Sequence, residues 1–498
     1  LGVVEPSSLG IGGDTFALSY SAKDRAVKAL DASGRSPYGA SLEFCRRNGF
    51  KGMPQRGIHS VTVPGAVDGW STLLSARGSM SLGKVLEAAI RYAEEGFPVA
   101  ELTAESWHES EANLKADEGG ALNYLVNGRA PKAGEVFRNP RMAKTLRQIA
   151  DEGPDAFYKG AIADKIVRCS EEKGGLFTVK DFADHRSDWV EPIRADYRGY
   201  EIYELPPATH GFVALEMLNI LEGVDLRSMG AQSADVLHLM IEAKKLAFAD
   251  RDSYLADRDF MKVLVNDLFS AKRAETLRAQ IRMDRAADEL ETLSQSKAPS
   301  VSPPRRGRIR EGVRGADTEY VAAADGQGNI VSFIQSNFMG FGAGVVEPET
   351  GIILQNRGHL FSLDENHPNC IGPHKRCVHT LMPGLMMKAG KPFAALGLKG
   401  GHVQPQVQVQ IITNLIDFEM TVQDSIAAAR FNHIEGLKVG LEPGIPESSV
   451  QELKRRGHQI ASGNPESFGG AHAIMIDPES GAFLGGSDPR KGGCALGF

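Results

Sequence analysis

The stretch Asp317-Thr-Glu-Tyr-Val-Ala-Ala-Ala-Asp-Gly-Gln-Gly-Asn-Ile-Val-Ser-Phe-Ile-Gln335 decides how this chain is read. Two apolar, strand-like runs flank a Gly/Asn turn, the pattern of a hairpin. Thr318 opens the first run. It follows a polar, basic, Pro-containing stretch, Lys297 to Asp317, that reads as a connector. A threonine placed first on a buried strand, directly after such a connector, suits one chemistry. Its hydroxyl attacks the preceding peptide carbonyl, the chain is cut, and the freed α-amine becomes the base for later attacks. The plainer alternative is a strand-edge threonine after an ordinary loop, and the local sequence leaves both open.

The wider composition narrows the classes. The 498 residues are 42% hydrophobic and 24% charged, enough for one large core or roughly two to three average domains. A net charge of −7 argues against nucleic acid as a partner. No apolar run approaches the roughly 20 residues that span a bilayer. Five cysteines, none in a CxxC pair, suggest neither a disulfide framework nor a structural zinc site. Leu1-Gly-Val-Val-Glu-Pro6 carries no basic n-region or cleavage-site pattern and reads like the inside of a domain. The expectation is a missing N-terminal piece, with a cytoplasmic location favoured over a periplasmic one.

Residues 1–80 are Gly-rich, with strand-like runs at Phe16–Tyr20, Ala26–Leu30 and Ser60–Val63. From about 81 to 290 the period is helical. Ser81 caps a helix over Leu82–Glu95 that stops at Gly96, and Val236, Leu239, Met240, Ala243, Leu246 and Ala247 share one face of a helix near 233–251. Short strands follow 318, then one helix after Thr421, then strands such as His472–Ile476. Helices, a hinge and strands fit a layered α+β protein or two separate domains.

Three groups of residues invite chemistry. Gly397-Leu-Lys-Gly-Gly-His402 follows a strand-like run, and its consecutive glycines would let backbone N–H groups approach an oxyanion; a plain tight turn is the alternative. Gly10-Ile-Gly-Gly-Asp14 and Gly340-Phe-Gly-Ala-Gly344 lack the strand–helix context and the lysine of a nucleotide site. His359, His367, His374 and His379, at spacings of 8, 7 and 5, match no helix-face ligand pair, so neither metal nor cofactor is expected.

These pieces occur in one order that resembles the γ-glutamyltranspeptidase family across nearly the whole chain. The carrying segments are Val4–Gly13, Ser60–Gly65, Asp317-Thr318 with Asp325–Asn329, Phe341–Gly344, Gly351–Asn356, Gly372–Arg376, Gly400-Gly401, Ala429–Phe431 and Gly486–Arg490. The resemblance implies a four-layer αββα sandwich of the N-terminal-nucleophile hydrolase type. It implies a precursor that cuts itself between Asp317 and Thr318. Residues 1–317 would form a large part with a polar linker at about 288–317, and 318–498 a small part. The two chains would stay associated as one catalytic domain acting on a small-molecule amide. Thr318 would be the nucleophile, the Gly400 and Gly401 amides the oxyanion hole, and Ser336 a hydroxyl beside the nucleophile.

The departures from that family concern recognition. Where members place an arginine two residues after the equivalent of Asp31, this chain has Ser33, with Arg35 nearby. Paired acids before a Phe-Ser are replaced by His359 and Leu360, next to Arg357. The asparagine position holds Phe338, with Asn337 adjacent, and paired serines become His379 and Thr380. The expectation is a divergent amide hydrolase or acyltransferase, similar to γ-glutamyltranspeptidase-like amidohydrolases and cephalosporin acylases, in which Arg35, Arg357 and His359 hold an acyl carboxylate. A true γ-glutamyltransferase with a rearranged clamp, or a non-catalytic binding protein, are the alternatives.

Overall fold

The computed structural model describes residues 1–288, 316–462 and 465–498; the expected linker falls almost wholly outside them. In chain order the strands of three or more residues are β1 (Asp14–Ser21), β2 (Ala26–Ala32), β3 (Asp188–Val190), β4 (Ile193–Tyr197), β5 (Tyr200–Glu204), β6 (Ala316–Ala324), β7 (Ile330–Met339), β8 (Gly384–Lys388), β9 (Lys391–Lys399), β10 (Phe431–Glu435), β11 (Lys438–Leu441), β12 (Gln459–Ser462), β13 (Gly470–Ile476) and β14 (Phe483–Ser487). One sheet runs β3-β2-β1-β7-β6 and a second runs β14-β13-β9-β8-β5-β4. Each sheet therefore joins a block of strands from before Thr318 to a block that contains or follows it.

The sheets face each other across Phe16, Leu18, Tyr320, Ile334, Leu385 and Ala395. Phe16 and Leu18 show why: on a strand, every second side chain points to the same face. Helices cover the outer faces. The main helices are α1 (Ala66–Arg77), α2 (Leu82–Glu95), α3 (Pro140–Glu152), α4 (Gly211–Glu222), α5 (Ala234–Tyr254), α6 (Gln404–Ile416) and α7 (Glu447–Arg455). Val67 of α1, Leu86 of α2 and Leu146 of α3 build one outer core. Leu218, Ile241 and Ile411, from α4, α5 and α6, build the other. The result is the α+β, αββα layering expected.

Local signals account for many boundaries. Ser81 Oγ accepts from the Lys84 N–H, capping α2, which ends at Gly96 with φ 97°. Ser233 caps α5 in the same way. Three expectations fail. The helical region is interrupted by β3, β4 and β5. Ser60–Val63 form no strand: a 3₁₀ turn over Ile58–Ser60 precedes extended chain whose Val63 N–H donates to the Arg35 carbonyl. The strand-rich half also carries α6, fully buried along most of its length and so without helical periodicity. Among the described residues no helix is long and apolar enough to cross a membrane.

Candidate active site

Thr318 is buried on β6, and register fixes its neighbours. It lies two residues before Tyr320, so it shares the face that looks into the sandwich. Across the ladder Asp317 pairs with Phe338 and Glu319 with Gln335, so Ser336 and Asn337 of β7 together oppose Thr318. This is a β-bulge, which re-aims side chains locally. On the other edge of β7, Ser336 pairs with Asp14 of β1. Three adjacent strands thus bring Thr318, Ser336 and Asp14 to one end of one face.

The opposing sheet supplies the second wall. β9 ends at Lys399, whose Nζ donates to Glu319 Oε1 at 2.5 Å, anchoring it beside Thr318. The chain then turns through Gly400 (φ 136°) and Gly401 (φ 59°) into a 3₁₀ turn and α6. A Cβ at Gly400 would fall 2.6 Å from Val403 Cγ1, so glycine is required there. β6 packs against the Gly401–Val403 turn. Two successive amides at the head of a helix, facing the nucleophile strand, are suited to a developing oxyanion.

Phe338 holds φ 78°, rare for an aromatic residue. The Arg357 guanidinium lies over its ring at 4.2 Å, and Arg357 Nη1 donates to Thr380 Oγ1 at 2.8 Å. Because Phe338 is the ladder partner of Asp317, this places Arg357 next to the Asp317–Thr318 bond. Arg357 Nη2 has no partner, and neither side-chain atom of Asn337 has one. Gly13 is what lets Asn337 in: a Cβ there would meet Asn337 Oδ1 at 2.6 Å. The unpaired polar atoms His210 Nδ1, His402 Nε2 and both ends of the Gln404 amide lie further along this wall. Such groups are rare in folded interiors and cluster where a ligand would satisfy them.

Asp14 was missed from sequence, because its motif was weighed only as a phosphate loop. Its Oδ1 accepts from the Gly34 and Gly65 amides at 3.0 and 3.2 Å. Its Oδ2 lies 3.2 Å from His379 Nε2, which therefore carries the proton, while His379 Nδ1 accepts from the Leu381 amide. Burial pushes the Asp14 carboxyl up to about 7, opposed by Arg357 and the two amides. Burial, with Arg357 and His210 nearby, holds His379 well below the usual histidine range, so it stays neutral.

Arg35 is the correction among the expected site residues. Its Nη2 sits 3.4 Å from Asp188 Oδ2, and its charged neighbours are Arg376, Asp188, Asp257 and Asp31. It lines a separate recess with Tyr38, Asp257 and His374. Arg357 answers instead to Asp14 and Cys377. His359, two residues on from Arg357 in the same 3₁₀ turn, is buried with Nδ1 3.0 Å from the Met53 carbonyl. Thr318, Ser336, Asn337, Arg357, His379, Thr380, Gly400 and Gly401 do converge.

A facing pair of sheets between helical layers, with a threonine near the start of the edge strand β6, is the architecture of an N-terminal-nucleophile hydrolase. Comparison with known proteins gives the particular family. The family profile described as Gamma-glutamyltranspeptidase matches residues 1–498. The chain is 39% identical to the glutathione hydrolase-like YwrD proenzyme of Bacillus subtilis, over 100% of this chain and 92% of that one. It is 37% identical to the Acylase ACY 1 proenzyme of a Pseudomonas species, over 85% and 73%. The crystal structure of a cephalosporin acylase from Bacillus halodurans superposes with TM-score 0.90 at 40% identity, covering 98% of this chain and 88% of that one. This chain belongs to the γ-glutamyltranspeptidase family, whose members here are amide-bond hydrolases.

Proposed function

We propose that the chain cuts itself before Thr318 and then hydrolyses, or transfers, an acyl group that carries a carboxylate but no α-amine. In the first step Thr318 Oγ attacks the Asp317 carbonyl carbon, and the peptide becomes an ester. Water hydrolyses the ester, leaving an Asp317 carboxylate and a free Thr318 amine. That amine, with a reference pKa near 8, takes the Oγ proton as Oγ attacks an incoming amide. The Gly400 and Gly401 amides receive the oxyanion. The leaving amine takes the proton, and the acyl ester is released to water or to a second amine.

The acyl preference rests on one observation: Arg357 is a buried cation beside the cleavage bond with an unpaired Nη2. The nearest acid, Asp14, could in principle take a substrate ammonium, as a γ-glutamyl head would require. Its oxygens are already engaged by two backbone amides and His379. A substrate carboxylate therefore gains a partner here and a substrate ammonium does not.

Purified protein is expected to run as fragments of about 317 and 181 residues (498 − 317) on a denaturing gel, and Thr318→Ala as one intact chain. Thr318→Ala protein that still splits would end the assignment of the nucleophile. Glutaryl-p-nitroanilide should be turned over with kcat/KM at least about 10-fold above γ-glutamyl-p-nitroanilide. The reverse preference would favour the true γ-glutamyltransferase reading. An intact wild-type chain would favour a binding protein.

A further inference from the structure

We propose that His238, Glu242 and His458 form a divalent-cation site, matched best to zinc, that ties the part of the chain before Thr318 to the part after it. His238 and Glu242 lie one turn apart on α5, and so project from the same face. His458 follows α7 and immediately precedes β12. All three are buried, and one ligand atom from each lies within 4.8 Å of the others.

The surrounding bonds orient these groups as ligands. His238 Nε2 sits 2.9 Å from the Arg282 carbonyl, so it carries the proton and leaves Nδ1 basic. Metal-binding histidines are commonly held by a carbonyl in this way. His238 Nδ1 lies 2.8 Å from His458 Nε2. Two nitrogens on one tetrahedral zinc, at about 2.0–2.1 Å each, stand about 3.3 Å apart, so the rings need separate only slightly. His458 Nδ1 has no partner and can take the proton that Nε2 gives up, so binding need release none. Glu242 Oε1 accepts from Lys245 Nζ at 2.7 Å and Oε2 from the Ala287 amide at 3.2 Å.

The cations facing the cluster are Lys245 and Arg456. Glu242 answers the first; Glu452 and Asp235 answer the second. Two imidazoles and one carboxylate are a known zinc donor set, and too soft for calcium or magnesium. The position gives the site its use. Arg282 and Ala287, which lie shortly before the connector in sequence, are bonded to the ligands themselves. If the chain is cut before Thr318, the metal joins two separate polypeptides. That consequence depends on the proposed cleavage; the binding does not.

The test is elemental analysis of full-length protein after chelation, re-equilibration with zinc and dialysis. One zinc per chain is expected, in wild type and equally in uncleaved Thr318→Ala. A stoichiometry below about 0.1 in both would overturn the site, whatever the fate of the cleavage. His458→Gln, which keeps a hydrogen-bonding side chain, should lower zinc affinity by about 100-fold or more. Unchanged affinity in His458→Gln and His238→Gln would place the metal elsewhere. In cleaved protein, a chelator should lower the urea concentration at which the two chains separate on gel filtration, with no shift in His458→Gln. An unchanged wild-type midpoint would overturn the tie.

Discussion

Two buried arginines show opposite ways of carrying a charge inside this fold. Arg376 and Arg357 are both almost fully enclosed. Arg376 Nη2 lies 2.9 Å from Asp188, and its Nε lies 3.5 Å from Asp31 and 3.2 Å from the Ser33 carbonyl. Burial alone would lower its pKa, but Asp31, Asp188 and Asp257 outweigh that and hold it above the usual value. Arg357 has one hydroxyl partner, a ring face and a distant acid, and burial pushes it down. Arg376 Nη1 also lacks a partner, but three carboxylates close the first centre in charge. The second is incomplete without a ligand. The difference teaches which buried charge belongs to the scaffold and which to the substrate.

Breaking the first should cost folding. Arg376→Gln leaves Asp31 to Arg258, and Asp188 to Arg258, Arg35 and Arg186, and is expected to destabilise by about 3–5 kcal/mol. The urea midpoint measures it, with little change in kcat/KM per folded molecule. A midpoint shift under about 1 kcal/mol would show that the two centres are not different in kind. Breaking the second should cost chemistry. Arg357→Gln removes an uncompensated buried cation, so stability should hold or rise slightly, while kcat/KM on a glutaryl amide falls about 10²-fold. A γ-glutamyl or uncharged acyl amide should lose far less. Equal losses on all three substrates would make Arg357 a general structural element.

The sequence showed the first centre poorly and the second well, for physical reasons. Thr318 and Gly400-Gly401 are legible because attack at a chain break and a side-chain-free oxyanion turn each demand a residue type at a fixed place. Arg357 stood out because it adjoins a departure, where His359 and Leu360 stand in place of paired acids. Asp14 was invisible because its role comes from pairing with Ser336, which no local signal encodes. Arg35 was over-read for the same reason: two residues of separation from Ser33 say nothing about a partner at Asp188. Helix α6 lacked a period because both faces are buried, and β3 to β5 were hidden in a region whose average pattern is helical. His238 and Glu242 did carry a one-turn spacing, but their third partner lies 216 residues on from Glu242 (458 − 242).

Asp14 offers the finest test, because among the described residues it is the carboxylate whose charge acts on Arg357. Its folded pKa of about 7 lies above the 3.8 of a free aspartate, so the native state holds this proton more tightly than the unfolded chain. The sign follows: between pH 4 and 7 this group's contribution to stability falls as pH rises. Asp14→Asn cannot titrate, so the variant should lose that part of the slope. Relative to wild type it should gain about 2–3 kcal/mol between pH 5 and pH 8 in urea midpoints. An identical slope in both proteins would mean that Asp14 is ionised throughout, with Arg357 its full counter-charge. The incomplete centre would then be closed like the one at Arg376, and a substrate carboxylate would have to compete with Asp14 for the guanidinium.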